Sequence, residues 1–159
     1  ARSENMQLNT RLFGEIEIED EKIIFFEKGI IGFPHCQRFT LIYDEGDDGK
    51  RKNISWLQSI EEPGFALPVM DPLIVKQDYD PQVEHDLLKG LGTLSEDNLY
   101  VLVTVTVPTD IKKLSVNLKA PIISNVTERK AEQLIVEDNF PVKYPIYEIL
   151  QAKKEKAGE

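Results

Sequence analysis

His35 and Cys36 stand side by side, and an imidazole next to a thiol could make a base–nucleophile dyad. Neighbouring residues of a strand point to opposite faces, so on a strand this pair forms no dyad; a loop would lift that restriction. The plainer reading is a small, partly buried thiol beside a surface imidazole. Metal chemistry is no better served. His85 is the other histidine, far along the chain, and it sits between Glu84 and Asp86 without a His-x-x-x-His spacing. A zinc site would have to recruit carboxylates from elsewhere. There is no Gly-x-Ser-x-Gly elbow. Gly29-x-x-Gly32 leads into Phe33-Pro34 and a strand, whereas a phosphate loop needs a following helix N-terminus and usually a lysine. No cofactor, no metal and no enzymatic activity are expected.

The remaining candidates suit contact with another macromolecule. Glu15, Glu17 and Glu19 alternate with Ile16 and Ile18, which puts the three carboxylates on one strand face about 7 Å apart. Like charges so placed repel. The row is either a solvated face or an acidic strip that pairs with lysine and arginine of a partner. Phe33 either plugs the core beneath its two-glycine loop or offers an exposed apolar contact. Trp56 and Gln58 share one strand face, and Leu57 and Ser59 the other. Trp56 reads as core, and Gln58 as a residue that bonds a neighbouring backbone or a partner's edge.

These residues need a scaffold. The chain has 159 residues, 41% hydrophobic and 30% charged, which suits one folded domain. Its net charge of −9 repels phosphate backbones, so direct nucleic-acid or anionic-membrane binding is disfavoured, and a basic protein partner suits it better. The single cysteine allows no intrachain disulfide, which fits a reducing, cytoplasmic location. No apolar run approaches the roughly 18 residues of a membrane span. Ala1 to Asn5, before Met6, read as an expression scar. The domain is therefore drawn over residues 6–150, with 151–159 a charged tail expected to fray.

Period-two alternation dominates. Strands are expected at residues 8–12, 16–18, 22–26, 38–43, 54–59, 65–69, 99–107, 114–118, 122–126 and 131–136. Leu99, Val101, Val103, Val105 and Val107 face one way in the strongest of them, and Leu102 implies that the other face is partly buried too. The run of acids and bases from Asp44 to Lys52 reads as a loop or hairpin tip. One helix is expected after Asp80 as cap and Pro81 at its first position, with Leu87, Leu88 and Leu91 as its apolar stripe and Gly90 or Gly92 as its stop. The fold class is mostly β: a single-domain, closed, antiparallel β-barrel-like fold with one short helix.

Ile16, then Ile23-Ile24-x-Phe26-x-x-Gly29-Ile30-x-Gly32-Phe33-Pro34 and Phe39, resemble the N-terminal half of the bacterial flagellar assembly factor FliW family. Trp56-Leu57-Gln58-Ser59, Pro63 and Pro68-Val69-x-Asp71-Pro72 are similar to its middle motif. Ser115-Val116-Asn117-Leu118-x-Ala120-Pro121-Ile122-x-x-Asn125 is similar to its C-terminal signature, and Ala131-x-Gln133 and Tyr144-Pro145 follow in the family's order. The resemblance runs from Met6 to Leu150. It implies a small β-barrel-like protein without enzymatic activity. Such proteins bind the translational repressor CsrA, relieving repression of flagellin synthesis, and also bind flagellin itself. The protein is expected to be monomeric when free. Its partner surface is expected to draw on Glu15, Glu17 and Glu19, or on the loop around Phe33 together with Gln58, Asp71 and Asn117, and not on the lysine-bearing tail. The rival reading is an enzyme or small-molecule binder built on a closed β-barrel, with its ligand at the barrel mouth.

Overall fold

The computed structural model describes residues 5–45 and 51–157. Seven strands close a barrel: β3 (Ile23–Phe26), β4 (Arg38–Glu45), β5 (Arg51–Ser59), β6 (Ala66–Met70), β7 (Leu99–Thr106), β9 (Ile122–Asn125) and β10 (Lys130–Gln133). Each pairs with its chain neighbour from β3 to β7; β7 then pairs with β9, β9 with β10, and β10 with β3. The last pairing is parallel and the other six are antiparallel. Two short strands, β8 (Ser115–Val116) and β11 (Tyr144–Pro145), extend the sheet sideways from the end of β7. The hairpin of β1 (Asn5–Thr10) and β2 (Gly14–Glu19) stands apart as its own two-stranded sheet.

Alternation decides what fills the barrel. Phe26, Phe39, Leu57, Val69, Leu102, Ile122 and Ala131 each point inward from a different strand. Phe26 and Phe39 meet edge to face at 5.1 Å. The opposite face of β6 and β7 is buried as well. Met70, Val103 and Val105 pack with Val75, Tyr79, Leu114, Val116, Leu118 and Ile146 in a second core outside the barrel. That is why the β7 sequence is apolar at successive positions. A third cluster, Leu91, Ile123 and Leu134, closes the remaining flank.

The helices differ from expectation. Residues 80–84 are not helical, and His85–Leu91 form a 3₁₀ helix instead of an α-helix. The cap expected of Asp80 is lost to competition: the Gln82 N–H turns to the Asp138 carboxylate at 3.2 Å, while Asp80 accepts from the Gln82 side chain. Gly92, at φ +77°, ends the segment as expected of Gly90 or Gly92. The α-helix, α1, spans Tyr147–Ala157 and takes in most of the segment expected to be a tail. Ile146 immediately before it is fully buried, and Tyr147, Ile149 and Leu150 pack on the second core. The expected loop from Asp44 to Lys52 lies partly outside the described residues; β4 continues to Glu45 and β5 begins at Arg51. The expected scar also lies outside them, except for Asn5, which is the first residue of β1.

Candidate partner-binding surface

The β1–β2 hairpin displays the acidic row. Glu15, Glu17 and Glu19 are exposed on β2, opposite Asn9, Gln7 and Asn5 on β1, while Ile16 and Ile18 turn inward. Polar, uncharged neighbours across the strand keep the row from meeting further like charge. Glu17 accepts a hydrogen bond from the Asn5 amide at 2.9 Å, and Thr10 closes the turn by donating to the Gly14 carbonyl.

The hairpin docks on the outside of the barrel. Phe13 meets Trp56 edge-on at 6.1 Å. Arg11 donates through its backbone N–H to the Pro63 carbonyl and through Nε to the Gly64 carbonyl. This places the tip of the hairpin against the turn that joins β5 to β6.

Gln58 holds that turn from below. It is fully buried, and its Nε2 donates to the carbonyls of Ser59, Pro63 and Phe65 at 3.0–3.2 Å. Of the two readings of Gln58, the structure takes the backbone one.

Phe33 approaches the same turn from the other side. Gly29 and Gly32, at φ +69° and +89°, fold the loop back so that Ile30 and Phe33 pair across it. Phe33 stacks on Phe65 with centroids 4.4 Å apart, yet remains 38% exposed. It is a braced, half-open aromatic on the surface, and Ile30 is the residue that plugs the core. His35 and Arg38 complete the joint: His35 Nε2 lies 2.6 Å from a Glu62 oxygen, and Arg38 Nε donates to Glu61 at 3.0 Å. Partial burial pushes the Glu61 carboxyl upward. The backbone N–H and guanidinium of Arg38 outweigh it and hold the carboxyl below its ordinary value.

Asp71 and Asn117 are elsewhere. Asp71 lies at the far end of β6 from the turn, where its carboxylate caps the 3₁₀ helix Pro72–Ile74 by accepting from the Leu73 N–H. Asn117 Oδ1 accepts from the N–H groups of Lys119 and Ala120. The structure thus gathers the hairpin tip, Phe33 and the Gln58-held turn on one side, and leaves Asp71 and Asn117 as local backbone organisers. Arg11, Glu61 and Glu62 belong to the gathered face but carried no signal in the sequence, and His35 stood out there only for its neighbour Cys36, because these contacts depend on which strands pair.

Comparison with known proteins bears on this arrangement. The family model described as FliW protein matches residues 7–146. The chain belongs to the FliW family. It is 48% identical over 153 residues to the flagellar assembly factor FliW of Lachnoclostridium phytofermentans, covering 94% of this chain and 97% of that one. It is 50% identical over 153 residues to the factor of the same name from Lachnospira eligens, covering 94% and 99%. The crystal structure of a flagellar assembly factor FliW superposes with a TM-score of 0.80 at 26% identity, covering 89% of this chain and 97% of that chain. The closed, mostly β architecture is thus the FliW fold. Among the described residues, no helix of this FliW-family chain is long and apolar enough to cross a membrane.

Proposed function

We propose that this chain is a cytoplasmic flagellar assembly factor that works by binding proteins, without catalysis. It sequesters the translational repressor CsrA, relieving repression of flagellin synthesis, and it binds flagellin. The observation that carries this reading is the family match over residues 7–146. Two physical features support it. The net charge of −9 steers a basic partner toward the chain, as suits a protein that handles an RNA-binding regulator. The exposed Glu15, Glu17 and Glu19 lie along the hairpin whose tip rests on the braced turn, and the half-exposed Phe33 stacks on Phe65 of the same turn, a charged row and an aromatic of the kinds that anchor interfaces.

The barrel-enzyme reading has less to stand on. The barrel axis is filled by Phe26, Phe39, Leu57 and their neighbours. Two clefts of the described residues, of about 270 Å³ beside Phe25, Gly90 and Lys130 and of about 450 Å³ beside Val75, Tyr144 and Ile149, are lined by none of Phe26, Phe39 and Leu57.

The test uses purified CsrA and flagellin. Each should bind the wild-type chain, and Glu15→Lys with Glu17→Lys should slow association with CsrA while leaving the melting temperature unchanged. Wild-type protein that binds neither partner would overturn the proposal. Normal CsrA association by the double variant would move the interface off the hairpin.

A further inference from the structure

Cys36 is a buried thiol beside an exposed imidazole, the plainer of the settings read from the sequence. Residues 34–37 are outside any strand, so the alternation that would separate His35 from Cys36 does not apply. The fold also brings in a carboxylate. Donor atoms of His35, Cys36 and Glu62 all lie within 4.8 Å of one another. His35 and Glu62 are half-exposed, while Cys36 lies beneath them, fully buried.

We propose that His35, Cys36 and Glu62 form a binding site for a zinc-class divalent ion with one open coordination position. The donor set selects the metal. A thiolate and an imidazole favour Zn²⁺ or Co²⁺ over Mg²⁺ or Ca²⁺, which prefer oxygen alone. The spacing is close to what is needed, since the ligands of a tetrahedral zinc ion stand about 3.3–3.7 Å apart. His35 and Glu62 must part slightly from their present 2.6 Å, and the gap to the Cys36 sulfur must close by at most about 1.5 Å. His35 and Glu62, both about half exposed, are the side chains that move, toward the buried Cys36.

The backbones that carry the ligands are already fixed. The Cys36 N–H donates to the Phe33 carbonyl at 3.1 Å, and the Glu62 N–H to the Ser59 hydroxyl at 3.0 Å. The open side faces solvent, so water supplies the fourth ligand. Binding exchanges the Cys36 S–H bond for a sulfur–metal bond. The proton passes to solvent, and no electron is transferred. The bound ion would tie the loop of Phe33 to the turn between β5 and β6.

The test is a titration of tag-free, chelator-treated and desalted protein with Co²⁺. The expected result is one ion per chain, a near-ultraviolet thiolate-to-cobalt band and visible bands of a four-coordinate ion. Zn²⁺ should displace the cobalt, and affinity should rise with pH as the thiol gives up its proton. Cys36→Ser should abolish the thiolate band. Glu62→Gln, a surface change that spares the core, should weaken binding by at least about tenfold. Absence of the thiolate band up to millimolar Co²⁺ overturns the proposal. So does binding that Cys36→Ser and Glu62→Gln both leave unchanged in protein whose near-ultraviolet circular dichroism is native.

Discussion

Gly29 and Gly32 both take positive φ, yet alanine should be far more costly at the first. A Cβ on Gly32 would have no heavy atom within 4 Å. Its substitution incurs only the left-handed backbone, about 1–2 kcal/mol. A Cβ on Gly29 would stand 2.6 Å from the Phe33 carbonyl oxygen and from two backbone atoms of Pro34. These are backbone atoms, so no side chain can swing aside. The Phe33 carbonyl accepts from the N–H groups of Ile30, at 3.2 Å, and Cys36, at 3.1 Å. Moving it weakens both bonds, each worth about 1 kcal/mol net. Gly29→Ala should therefore cost about 3–4 kcal/mol in all. In urea, with a slope of about 2 kcal/mol per molar, the midpoint should fall by about 1.5–2 M for Gly29→Ala and by about 0.5–1 M for Gly32→Ala. Equal shifts, or a larger shift at Gly32, would refute the reasoning.

Other outcomes follow from the same contacts. Gln58→Ala should cost about 2–4 kcal/mol, because the Ser59, Pro63 and Phe65 carbonyls lose their shared amide donor; an unchanged urea midpoint would count against the buried clasp. Tyr79→Phe should cost about 1–2 kcal/mol through the lost bond from its hydroxyl to the Leu118 carbonyl, measured by thermal melting. Glu61 has a lowered folded-state pKa, so its contribution is present above the ordinary carboxylate value of 4.5 and is lost as pH falls below it. Arg38→Gln should flatten the fall in stability on the acid side of that value, and an unaltered acid limb would contradict the pairing. Association with CsrA should slow as salt rises from about 50 to 500 mM, since steering by net charge is screened; a salt-independent on-rate would make the interface mainly apolar.

What could be read from the sequence and what could not divide along physical lines. Local alternation located β2 and β7, because Ile16 and Ile18 against the glutamates, and Val101, Val103 and Val105, carry their own period. Closure was legible as a class, from many short strands with turns between. The parallel pairing of β3 with β10 was not, because its residues are about a hundred positions apart and no local pattern records it. Asp80 and Pro81 look like a helix start, but Asp138 takes the Gln82 N–H from a distant loop. The α-helix at Tyr147 did carry a local signal, a run of glutamate, leucine, glutamine, alanine and lysine. Its charge drew the reading toward a tail, while Ile146, Ile149 and Leu150 supplied the apolar anchor. The same limit holds at the candidate surface. The glutamate row is visible from spacing alone, whereas the burial of Gln58 and the meeting of His35, Cys36 and Glu62 appear only once β5 and β6 turn back on the loop after β3.

The most direct measurement of the proposed role, sequestering CsrA and giving it up to flagellin, follows a labelled leader RNA bound to purified CsrA. Adding the chain should release the RNA, and adding flagellin should draw the chain away so that CsrA binds the RNA again. RNA that stays bound to CsrA at every concentration of the chain would contradict it.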